Sequence, residues 1–85
     1  MNELSLHINH KAVDVMHAAH AVFAKRGDAS YAKSKTNNFL RRCGADITKP
    51  KEQLLDAEKV ILTANGMFDT DAEGEFFAAL YKEES

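Results

Sequence analysis

Lys33, Lys35, Arg41 and Arg42 lie within one short stretch, with Asn37 and Asn38 between them and Tyr31 just ahead. On a helix these cations would share the outward face and could neutralise phosphates. The two amides could hydrogen-bond a phosphate or a base edge, and the phenol could stack. Nucleic-acid contact needs such clustering, because much of its affinity comes from released counterions. Lys25 and Arg26 precede the stretch, and Lys49 and Lys51 follow it. A helix-turn-helix spacing across Ala21 to Arg42 is a poor match: Asp28 falls at the apolar turn position. The competing reading is an ordinary solvated face. A polyanion remains one of two partner classes to weigh, beside another protein.

A second group of residues carries metal chemistry. Asp69, Asp71 and Glu73 alternate, Gly74 follows and Phe76 comes two residues later. Over about ten residues this resembles the calcium loop of EF-hands, in which oxygen ligands at positions one, three and five precede a glycine at six and the loop closes on a bidentate Glu at twelve. The resemblance implies ligation of a divalent cation, calcium first, by Asp69, Asp71 and Glu73 within residues 69–80. The pattern departs at Leu80, which stands where the closing Glu belongs, and at Glu73, which is longer than the usual Asp or Asn. The same residues have a reading without metal. Thr70-Asp71-Ala72-Glu73 fits a capping box at a helix start. Both readings stay open on sequence, and no cofactor is required by either.

Other reactive residues are dispersed. His10, Asp14 and His17 share the polar side of a first helix, with His7 if that helix starts early. Two imidazoles and a carboxylate can ligate metal, but His10 and His17 are two turns apart. Cys43 is expected on an inward face, where it acts as a small apolar residue. Gly27, Gly44, Gly66 and Gly74 stand apart, so no phosphate-cradling loop exists, and no nucleophile motif is present. The expectation is a non-enzymatic protein.

The elements that would position these groups are four helical segments, placed by apolar spacing and turn signals. The first covers about residues 9–25, with Asn9 or Ser5 as N-cap and Gly27 as its stop. Leu4 to Ile8 alternates as a strand would, but no obvious pairing partner exists, which favours helix or coil there. The second covers about 30–43, stopped by Gly44. The third covers about 49–64, with Thr48 as N-cap, Pro50 in its first turn and Asn65-Gly66 as its end. Its apolar residues cover most of the circumference, which predicts a central helix. The fourth covers about 71–83, capped by Thr70, with the final residues fraying. The predicted core is Val15, Ala19, Phe23, Phe39, Leu40, Leu54, Leu55, Ile61, Leu62, Phe76 and Leu80. The fold class is therefore an all-α compact bundle of four short helices, forming one domain over residues 1–85, with no internal repeat.

Charge is sorted along this frame. Residues 25–51 hold eight Lys or Arg against two Asp, a net +6; residues 52–85 hold two Lys against nine Asp or Glu, a net −7. The acidic end could compete for, or screen, the basic segment. At 85 residues a domain buries only roughly 60–65% of its unfolded surface, so self-association is a live expectation. A lone cysteine fits a reducing cytoplasm. No apolar run approaches a membrane span, and the first ten residues lack the pattern of a secretory signal. The expected function is a small helical interaction or regulatory protein that works through protein–protein contacts as a homodimer. Nucleic-acid binding through Lys33, Lys35, Asn37, Asn38, Arg41 and Arg42 is the first alternative, and calcium binding the second.

Overall fold

In a computed structural model, which describes residues 9–84, the chain forms four helices and a two-stranded antiparallel ribbon. Strand β1 (Asn9–Lys11) leads directly into α1 (Ala12–Ala24), and α2 (Ala29–Arg42) follows after a tight turn. A 3-10 turn (Pro50–Glu52) then precedes β2 (Leu54–Asp56), which leads directly into α3 (Ala57–Met67) and on to α4 (Thr70–Glu84). The order strand–helix–helix thus occurs twice, and Ala12, Val15, Ala19 and Phe23 recur with it at one spacing as Ala57, Val60, Ala64 and Phe68, a repeat not expected from the sequence. The all-α bundle expected from the sequence is the architecture found, with the short ribbon added to it.

The ribbon is the main correction. His10 lies opposite Leu55, flanked by the pairs Asn9–Asp56 and Lys11–Leu54, and the Ala12 amide extends the ladder to the Gln53 carbonyl at 3.0 Å. A strand in the first segment does have a partner, hidden inside the predicted third helix. The ambiguous stretch Leu4 to Ile8 and the Ser5 cap lie outside the described residues. Residues 49–56 are not helical beyond the 3-10 turn. Asp46 starts the loop as an Asx turn, accepting from the Thr48 amide at 3.0 Å and its hydroxyl at 2.6 Å. Gln53 then ties the loop together. Its carbonyl accepts from the Asp46 amide at 2.8 Å, and its amide nitrogen donates to the carbonyls of Asp46 and Lys49 at 2.8 and 3.2 Å. These bonds satisfy the loop's backbone locally, so no helix is needed to do so.

Helix α3 accordingly starts eight residues later than Lys49 predicts, with Asp56 as N-cap accepting from the Glu58 amide at 2.8 Å. It passes through Asn65 and Gly66 and stops at Phe68, whose extended backbone turns its ring back into the core. Moving the helix start changes which residues point inward. In β2 the two-residue period buries Leu55 and exposes Leu54. In α3 the buried residues are Val60, Thr63 and Ala64, while Ile61 and Leu62 face outward. Leu54, Ile61 and Leu62 were expected in the core and are 64%, 45% and 63% exposed. The central helix is α1 instead: it buries six residues and packs along both α2 and α4.

The remaining predicted core residues are buried. Phe23, Phe39, Phe68 and Phe76 join α1, α2, the α3–α4 link and α4 in one aromatic cluster, with ring centroids 5.0–5.5 Å apart. Two glycines are structurally required. A Cβ at Gly27 would sit 2.4 Å from the Tyr31 ring, so the turn between α1 and α2 closes only over a bare backbone. Gly44, at φ +84°, is the left-handed residue that ends α2. Its amide bonds to the Arg41 carbonyl at 3.0 Å and the Ala45 amide to the Leu40 carbonyl at 2.9 Å, which is the Schellman pattern.

Candidate functional site

Helix α2 owes its orientation to one stripe. Ala32, Thr36, Phe39, Leu40 and the capping Cys43 are buried, so residues on the opposite arc must face solvent. Asp28 fixes the start by accepting from the Tyr31 amide at 2.8 Å, and the Schellman turn fixes the end. Lys33, Lys35, Arg41 and Arg42 are all exposed; Asn37 and Asn38 are half-buried. At about 100° per residue they form two rows. Lys33, Asn37 and Arg41 follow an i, i+4, i+8 line on one flank; Lys35, Asn38 and Arg42 lie on the other. Each row is roughly 10–12 Å long at 1.5 Å per residue. The helix holds no acidic residue, and none of its four cations lies within 4.0 Å of a carboxylate among the described residues. Lys35 does have a neighbour, its ammonium lying 5.8 Å from the Tyr31 ring centroid, a cation–π contact at an exposed site.

The other cations of the basic segment divide. Arg26 forks onto Glu75 of α4 with N–O distances of 3.2 and 3.1 Å, and Lys25 approaches the same carboxylate at 3.5 Å. Arg26 also donates to the Val22 carbonyl at 3.0 Å. The hydrogen bonds to Arg26 hold the Glu75 carboxyl below its usual range and, reciprocally, raise the guanidinium. The acidic end therefore neutralises the cations ahead of α2 and leaves those on α2 free of carboxylate contact. Lys49 and Lys51 line a shallow surface depression with Thr48 and Glu52.

The candidate calcium residues sit at a helix start. Asp69 is the cap of α4, accepting from the Ala72 amide at 2.8 Å; the expected capping residue, Thr70, is already helical. Asp71 and Glu73 occupy the first turn, and Gly74 is an ordinary helical residue rather than a bend. Because the chain rises as a helix here, the three carboxylates do not wrap around a point. Among the described residues no group of three or more His, Cys, Asp or Glu is placed to hold a metal ion.

His10 and His17 are drawn to α4 instead of to each other. His10 is on β1, largely buried, with its Nδ1 2.5 Å from an oxygen of Glu84. His17 approaches Glu83 at 3.5 Å. The two glutamates expected to fray thus tie the end of α4 to β1 and α1. Cys43 is buried as expected, and burial pushes its thiol up despite a bond to Thr63 and the charge of Lys59. Sequence reasoning missed a groove of about 390 Å³ between α1 and α2, bordered by Met16, His20, Lys33, Thr36 and Asn37 among others. The hydroxyl of Thr36 is itself buried and has no partner, a state that costs about 1–3 kcal/mol. No spacing rule would have announced a groove made by two helices crossing. No helix among the described residues is long and apolar enough to cross a membrane. Comparison with known protein families, with characterised proteins and with solved structures finds no match.

Proposed function

We propose that this chain is a small non-enzymatic interaction protein, regulatory in kind, that works through protein–protein contact and does so as a homodimer. The observation that carries the reading is the outward placement of Leu54, Ile61 and Leu62. On α3, Ile61 and Leu62 lie about 100° apart around the axis, Leu62 opposite the buried stripe of Val60, Thr63 and Ala64 and Ile61 at its edge. Aliphatic side chains on two successive elements of a chain of 85 residues are what a domain with limited core would bury in a second copy. Sedimentation velocity across a concentration series tests this. The expected result is a concentration-dependent dimer that the double substitution Ile61→Glu, Leu62→Glu converts to a folded monomer. A wild-type chain that stays monomeric up to about 1 mM, the weak end of the affinity scale, overturns it.

A second reading rests on a different observation, the four α2 cations without a carboxylate partner among the described residues. Here Lys33, Lys35, Arg41 and Arg42 contact phosphates and Asn37 and Asn38 add hydrogen bonds. With four phosphate contacts, affinity for mixed DNA or RNA should fall roughly 100-fold between about 50 and 200 mM salt. Lack of salt-sensitive binding at the lower concentration removes this reading and leaves the first untouched.

A further inference from the structure

We infer that the groove between α1 and α2 binds a small organic anion with an apolar body, a carboxylate on a short hydrocarbon chain being its simplest form. This goes beyond the interaction surfaces above and uses a different part of the molecule from Leu54, Ile61 and Leu62. The groove's volume, about 390 Å³, falls in the range of small-molecule sites, roughly 300–1,000 Å³. Met16 and Ala21 of α1 supply apolar wall.

The polar groups decide the ligand's charge. They are His17 and His20 from α1, and Lys33, Thr36 and Asn37 from α2. Every one of them can donate a hydrogen bond, and none is a carboxylate. Lys33 brings a full positive charge with no carboxylate within 4.0 Å among the described residues. One competing anion is Glu83 of α4, which approaches His17 at 3.5 Å. A cation would meet Lys33 unfavourably, and a purely apolar molecule would strip water from these donors without replacing it.

Thr36 is the independent observation. Its residue is 3% exposed, and its hydroxyl has no hydrogen-bond partner. Buried polar side chains nearly always find one. Thr36 lines the groove, and a turn of its side chain about the first torsion would bring the hydroxyl to an acceptor lowered between the helices, giving it the partner it lacks. Lys33 and Asn37 lie one residue spacing of four apart on the same flank of α2, where they can hold the two oxygens of one carboxylate. The acceptor end then sits toward α2 and the hydrocarbon toward Met16 and Ala21.

The test is a titration of the full-length, ¹⁵N-labelled chain with sodium octanoate, followed by amide chemical shifts, with 1-octanol and inorganic phosphate as separate probes. Octanoate is expected to produce saturable shifts centred on residues 16–21 and 33–37. Octanol, which lacks the charge, and phosphate, which lacks the apolar body, should each bind more weakly. Lys33→Gln should weaken octanoate about tenfold, the scale of one charge-assisted hydrogen bond. Thr36→Val keeps the side-chain shape and should weaken octanoate while leaving thermal unfolding unchanged or raised. Absence of saturable shifts up to about 10 mM, equal affinity for octanol, or shifts centred on Leu54, Ile61 and Leu62 would each overturn the inference. Tighter binding of phosphate than of octanoate would overturn it too, and would point to the phosphate-contact reading of α2.

Discussion

The unit β1–α1–α2 and the unit β2–α3–α4 share an element order but bury their helices to different degrees. In the first, α1 hides six residues and α2 four, and the two helices pack along their length. In the second, α3 hides only three and touches α4 sparingly; α4 packs instead on α1. The same order of elements therefore yields a helix at the centre in one half and a helix at the periphery in the other. Apolar content alone does not decide which is which: Ile61 and Leu62 are as hydrophobic as Val15 and Val22, but they sit at the wrong phase of a helix that starts at Ala57. The peripheral helix is the one left with exposed aliphatic surface.

The largest expected effect separates the two units by burial. Phe39→Ala removes a fully buried ring that contacts Phe68 and Phe76. It should cost about 3–5 kcal/mol, a large share of the stability of a domain this size. Leu62→Ala, in the peripheral helix, should stay within about 0.5 kcal/mol in the monomer. Urea unfolding of both variants checks the contrast. A large loss at Leu62 under monomeric conditions would mean that α3 is packed as the first unit is.

A smaller and opposite pair of effects comes from glycines. Gly44 ends α2 at φ +84° with ordinary room for a Cβ, its nearest neighbour being the Lys59 ammonium at 3.7 Å. Gly44→Ala should therefore cost about 1–2 kcal/mol through backbone conformation alone. Gly74 lies within α4, and a Cβ there meets nothing within 4 Å. Gly74→Ala should stabilise by about 0.5–1 kcal/mol. The signs are read from thermal unfolding, and stabilisation at position 74 would also show that no bend is needed there. Of similar size is Asp28→Ala, which deletes the α2 cap and should cost about 1 kcal/mol.

What could be read from the sequence follows local physics. The helix of α2 and its stop at Gly44 were legible because the cues are consecutive: one apolar stripe, then a glycine that can take a left-handed turn. The inward aspect of Cys43 and the outward aspect of Lys33, Lys35, Arg41 and Arg42 follow from that stripe. The start of α3 was not legible, because Leu54 and Leu55 fit a helical phase as well as a strand, and only pairing with Asn9–Lys11, far away in sequence, selects the strand. The Asx turn at Asp46 was a local signal that could have warned against a helix from Lys49. Asp69 is a better cap than Thr70 by type, but the same alternating carboxylates also fit a metal loop. The α1–α2 groove was invisible, since it arises where two helices meet and not within either.

The smallest effect concerns one of the charged contacts that join the units. Glu75 of α4 accepts from Arg26 and lies near Lys25, and its carboxyl is held below the usual range chiefly by the bond to Arg26. A group whose folded pKa is depressed binds fewer protons folded than unfolded in the window between its two pKa values. Its stabilising contribution is thus present above the unfolded carboxylate pKa and is lost as pH falls through the folded one. Stability should decline on the acid side for this reason, and Glu75→Gln should flatten that part of the profile. The groups are solvent-exposed, so the difference between wild type and Glu75→Gln should be less than that for Asp28→Ala and should shrink as salt is raised. The same substitution frees Lys25 and Arg26 ahead of α2. If the acidic end screens the basic segment, Glu75→Gln should strengthen binding of DNA or RNA at low salt, measured by the same titration that tests α2. An unchanged affinity would confine any nucleic-acid contact to α2's own four cations and leave the Arg26–Glu75 fork a purely structural tie between the two units.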